Sequence, residues 1–105
     1  MIKTATLVFA AALLLGAAAK QTFTGVITDT MCGAGHKMMN VTPDAKCVRD
    51  CVKAGYKYAL YDGKNVYTLS DQQTPEKYAA QKVRVLGTLH PKTKIIAVES
   101  IQAVK

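Results

Sequence analysis

The chain has 105 residues, half of them hydrophobic, and 14 Lys and Arg against 7 Asp and Glu give a formal charge of +7. That length supports one small core, which gains from a staple such as a disulfide or a metal. The basic residues are spread from Lys3 to Lys105 with no consecutive block, so they read as a solvated surface and not as a nucleic-acid stripe.

The N-terminus reads as an export signal. Met1 to Lys3 form a short positive segment, Ala5 to Leu15 an apolar one, and Gly16-Ala17-Ala18-Ala19 supplies small residues before a cut after Ala19. The apolar run is short for a bilayer span, and nothing later approaches that length; an uncleaved signal anchor is the alternative. Cleavage removes 19 of the 105 residues, Lys3 among them, and leaves 86 with the charge lowered from +7 to +6. The expected mature protein is therefore a single domain over residues 20–105, periplasmic or secreted.

The first predicted strand is Phe23–Thr28, rich in β-formers, with Gly25 as a bulge or close-approach point. A Cys/His-rich insert follows at 29–55. Its first part, Asp29 to Asn40, is a loop punctuated by Gly33 and Gly35. Its second part is a helix with Thr42 as N-cap, Pro43 and Asp44 in the first turn, and Gly55 just past the end. Cys47 and Cys51, four apart, share one face of it, and Val48 and Val52 lie beside that face and can bury the helix against a sheet. Next, Tyr58–Tyr61 and Asn65–Leu69 flank the hairpin signal Asp62-Gly63-Lys64. Thr74 to Ala80 predicts one or two helical turns, and Val83–Leu89 and Ile95–Ile101 are strands joined by the turn His90 to Lys94. The expected fold is mainly β: a small five-stranded barrel with a helix between strands 1 and 2 and a short helix before strand 4. An open five-stranded sheet with one helix is the competitor.

The segment from Cys32 to Cys51 holds all three cysteines. As ligands it reads Cys32-x3-His36, a ten-residue spacer, then Cys47-x3-Cys51. Three thiolates and one imidazole make a closed tetrahedral Zn²⁺ site. Copper(I) could instead use the thiolates with Met31, Met38 or Met39 as soft auxiliaries, although methionines in small cores more often fill gaps. A disulfide between Cys47 and Cys51 is awkward, since side chains four apart on a helix sit about 5–6 Å from each other at Cβ and a bridge wants about 3.5–4.5 Å. A bridge from Cys32 to either fits an oxidising compartment, leaves one thiol over, and would leave no metal bound. Both readings stay open, with a thiol redox protein as a third.

Catalysis has little support. Cys32 with His36 lacks a third orienting group, Cys-x-x-Cys at a helix start is absent, and Asp44 and Asp50 lie on different helical faces. No enzyme activity is expected. His90 is expected at the surface. The five tyrosines are expected to build the rim of the core in preference to stacking bases or sugars, with Tyr56 and Tyr58 on one side of their strand and Tyr61 on the other.

The runs Phe-Thr-Gly-Val-Ile-Thr-Asp-Thr-Met-Cys-Gly at 23 to 33, Cys-Val-Arg-Asp-Cys-Val-Lys-Ala-Gly at 47 to 55, Tyr-Ala-Leu-Tyr-Asp-Gly at 58 to 63 and Val-Tyr-Thr-Leu at 66 to 69, together with His36, resemble small exported bacterial proteins of uncharacterised function. Lys-Val-Arg-Val-Leu-Gly-Thr-Leu at 82 to 89 is similar to the penultimate strand of oligonucleotide/oligosaccharide-binding (OB) barrels. The resemblance implies an OB-like barrel in the cell envelope, and no activity. The function expected is an exported, non-enzymatic protein holding zinc or copper through Cys32, His36, Cys47 and Cys51. The alternative is a disulfide-stapled module that engages a protein partner in the envelope.

Overall fold

The computed structural model describes residues 19–33 and 44–104. The expected export signal up to residue 18, and His36, Met38, Met39, Thr42 and Pro43, lie outside the described residues.

The elements are β1 (Gln21–Asp29), α1 (Asp44–Lys53), β2 (Tyr58–Tyr61), β3 (Val66–Leu69), a 3-10 turn (Thr74–Tyr78), β4 (Lys82–His90) and β5 (Ile95–Ala103). All five strands belong to one sheet that closes on itself in the order β1-β2-β3-β5-β4. Neighbours are antiparallel except β3 and β5, which run parallel. This is the expected mainly-β, five-stranded closed ring and not the open sheet. The short element before β4 is a 3-10 turn, and three strands extend one or two residues past the expected ends. Cross-strand pairing carries them on, since Gln21 faces Gly87 and Val83 faces Ala103.

The ring closes because β1 serves two neighbours. Its first part, Gln21 to Val26, pairs with β4, and its last part, Val26 to Asp29, pairs with β2. Gly25 stands at the handover, and a Cβ there would run into the Tyr61 carbonyl. The expected close-approach role is therefore met by backbone lying against backbone. On β4 the residues alternate out and in from Lys82 to Gly87, with Val83 and Val85 fully buried, as a strand with one wet face requires. A register shift at Leu86/Gly87 marks an irregularity opposite β5, of the kind that bends a strand.

The connection from β3 to β4 is sewn down along its length. Gln72 accepts the Tyr58 N–H at 2.8 Å and donates to the carbonyls of Tyr58 and Leu69 at 3.0 and 2.8 Å. Asp71 accepts from the N–H groups of Gln73 and Thr74. Ala79 bridges to Ile27, and the Ala80 N–H donates to the Ile27 carbonyl at 2.9 Å.

Inside the ring Ile27, Leu60, Leu69, Val83, Val85 and Ile96 are almost wholly buried, and Val48 of α1 joins them. Each such side chain contributes about 1.5–3 kcal/mol relative to exposure. The tyrosines divide differently from expectation. Tyr56 precedes β2 and is 43% exposed, whereas Tyr58 opens β2 and is 3% exposed, so the two do not share a strand face. Tyr67 packs edge-on against Phe23 at 5.9 Å. Among the described residues no helix is long and apolar enough to cross a membrane.

Candidate metal centre

Two chain segments bring the cysteines together, and local interactions hold each one. On α1, Ala45, Val48 and Val52 pack toward the core at helical spacing. Cys47 and Cys51 each precede one of those valines and therefore stand on the shoulder of the buried stripe. Cys47 is exposed and Cys51 half-buried. The outer face carries the ion pair Lys46–Asp50 at 2.7 Å, which accounts for Asp50 as the solvated group the sequence suggests. Arg49 Nε donates to the Glu76 carbonyl at 3.0 Å and ties the helix to the 3-10 turn.

The helix ends as predicted. Gly55 adopts φ +114°, a conformation that favours glycine. Its N–H donates to the Val52 carbonyl and that of Tyr56 to the Cys51 carbonyl. This pair of bonds is the Schellman arrangement, and it fixes the backbone of Cys51.

Cys32 arrives from the other side. The Thr30 N–H donates to the Lys57 carbonyl at 2.9 Å, and the Lys57 N–H returns to the Thr30 hydroxyl at 3.1 Å. These bonds continue the β1–β2 pairing beyond Asp29↔Tyr58 and clamp the two ends of the insert together. The Asp29 carboxylate is fully buried, and its Oδ1 accepts the N–H groups of Met31 at 2.9 Å and Cys32 at 2.8 Å. The loop is thereby turned back over the helix.

As a result the Sγ atoms of Cys32, Cys47 and Cys51 lie within 4.8 Å of one another. A tetrahedral zinc with Zn–S bonds of about 2.3 Å sets its sulfurs about 3.8 Å apart, so small side-chain rotations suffice to close on an ion. All three are thiols, with no disulfide between them. Of the four donors expected from the sequence, the structure gathers three; His36 lies outside the described residues. His90 is exposed at the end of β4, as expected.

The electrostatics favour protons on Cys32 and Cys51 until a cation arrives. Burial, then the Asp29 carboxylate, then Cys47 push the Cys32 thiol above its ordinary range. Burial followed by Asp29 and the two neighbouring thiols pushes Cys51 up to about 11. An ion must therefore displace protons, and its affinity rises with pH.

A groove of about 520 Å³ opens beside the cluster, lined by Met31, Cys47, Cys51, Ala54, Tyr56 and the Lys46–Asp50 pair. Asp29, Thr30 and Lys57 had no part in the sequence reading of the site. Only the position of Asp29 at the end of a β-former run, two and three residues before the groups it binds, could have indicated a turn-forming carboxylate. No protein-family model, curated protein or solved structure matches the chain.

Proposed function

We propose that the protein is an exported, non-enzymatic metal-binding protein that holds zinc or copper through Cys32, Cys47 and Cys51, with His36 as the fourth donor. One observation carries the reading: three sulfurs from two separately anchored segments lie within 4.8 Å of one another as free thiols. Convergence of this kind is what a soft cation requires. The proposed location rests on the N-terminal sequence, where a positive start, an apolar run and small residues precede Ala19.

The same proximity favours a second reading, in which Cys32 is bridged to one helix cysteine and the barrel engages an envelope partner. An oxidising compartment supports that bridge. Elemental analysis of the protein purified from the exported fraction, with thiols counted under denaturant before and after metal removal, separates the two. Stoichiometric zinc or copper and three thiols support the metal reading. One thiol and no metal would replace it with the bridged form.

A further inference from the structure

Resting on that metal-binding reading, we propose that copper(I) is carried as exchangeable cargo, with the Met31 thioether as the donor on the groove side of the three cysteines.

Three large hydrophobic side chains stand exposed among the described residues: Met31 at 59%, Tyr56 at 43% and Leu86 at 36%. Leu86 belongs to the outer face of β4. The other two line the same groove, and Cys47 and Cys51 form part of its wall. Met31 is exposed without being loosely attached. Its N–H is bound to the buried Asp29 carboxylate at 2.9 Å, one residue from the matching bond of Cys32. A fixed backbone thus holds Met31, with its soft, neutral thioether, in the wall of the groove that Cys47 and Cys51 also line. A methionine in that place fills no gap in the core, which is the usual work of the residue.

The ligand type then selects the ion. Thiolate and thioether together suit copper(I), whereas zinc takes thiolate, imidazole and carboxylate and gains little from a thioether. The access selects the use. A structural zinc site is closed; here Cys47 is exposed and the cluster borders a groove of about 520 Å³. The buried core of the ring is built from other residues and contains none of the three cysteines. Such a centre can load and unload by exchanging one sulfur at a time. Each thiol that binds copper releases its proton to solvent, the copper stays monovalent, and no electron moves.

The test uses the reduced, metal-free mature chain, titrated with copper(I) in competition with a colorimetric copper(I) chelator and separately with zinc(II). Met31 is already exposed, so Met31→Leu keeps the shape and the fold, which circular dichroism checks. The expected result is a fall in copper(I) affinity of about tenfold, the lower end for loss of a supporting group, with zinc(II) affinity unchanged. In carbon-labelled methionine spectra, the methyl signal absent from Met31→Leu should shift with copper(I) and stay in place with zinc(II). An equal fall for both metals, or no fall for copper(I), would overturn the proposal. If the wild type binds zinc(II) but not copper(I), this inference fails and the three-cysteine centre stands. If it binds neither, both fail.

Discussion

The closed ring and the insert it carries are held together in different ways. In the ring, every strand has two hydrogen-bonded neighbours, and the core is built mainly from apolar side chains, with Thr28 and Asp29 the buried polar ones at the end of β1. In the insert, Val48 anchors the helix, while Asp29, Thr30, Lys57 and Gly55 fix the backbone around the cysteines through hydrogen bonds. The ring therefore owes its stability to burial that is indifferent to metal. The thiol cluster is fastened to its outside at two points. Substitutions in one region should leave the other's property largely intact, and four of them probe that division.

The largest effect belongs to the ring. Ile27 is fully buried, faces Leu60 across β1–β2 and carries the backbone contacts to Ala79 and Ala80. Ile27→Ala should cost about 2–5 kcal/mol, measured by chemical denaturation, and unfold a large fraction of so small a protein. Gly25→Ala comes next. Its Cβ meets backbone and not a flexible side-chain end, so β1 must shift where it passes from β4 to β2. The expected loss is about 1–3 kcal/mol, and in both variants the thiols should stay reactive in the folded fraction.

How much of this division the sequence discloses depends on whether a feature is local. Strand runs such as Val83–Leu89 and the hairpin at Asp62-Gly63-Lys64 are local patterns, and they reappear with Asp62 accepting the N–H groups of Lys64 and Asn65. The i,i+4 placement of Cys47 and Cys51 and the stop at Gly55 follow equally from short-range helix geometry. Ring closure is harder to read, because the parallel β3–β5 contact spans only Thr68↔Ile95 and Leu69↔Ile96 and is reached through a 3-10 turn. The approach of Cys32 is harder still. It depends on bonds between Thr30 and Lys57, which leave no pattern in residue types, and on a buried aspartate that accepts backbone N–H groups and is marked in the sequence only by its place at the end of a β-former run. Tyr56 shows the same limit. Alternation placed it with Tyr58, but the chain is still leaving the helix cap at that point.

A smaller effect should come from pH, and it belongs to the insert. Burial and then the Asp29 carboxylate push the Cys51 thiol from an ordinary 9.0 up to about 11 in the folded chain, and they raise Cys32 as well. The folded state thus holds protons that the unfolded state has released. Below pH 9 both states are protonated and the contribution is complete. It is lost as pH rises from about 9 through 11, because stability falls wherever the folded state binds more protons. Denaturation of the reduced, metal-free protein across that range should show the decline. Asp29→Asn removes one of the causes but not burial, which is the larger, so the decline should still begin near pH 9 but be smaller and end at a lower pH.

The smallest effect on stability is expected at Cys47, and it is the sharpest test of the division. The side chain is exposed and absent from the core, so replacing sulfur by oxygen removes little packing and leaves no buried polar atom. Metal-free Cys47→Ser should therefore unfold within about 0.5 kcal/mol of the wild type, as surface substitutions do. Metal binding should nevertheless collapse, because two sulfurs cannot make the three-cornered base on which the ion would rest. If metal-free Cys47→Ser were instead as unstable as Ile27→Ala, the cysteines would be part of what holds the ring together. The separation between a self-sufficient barrel and an attached metal centre would then be wrong.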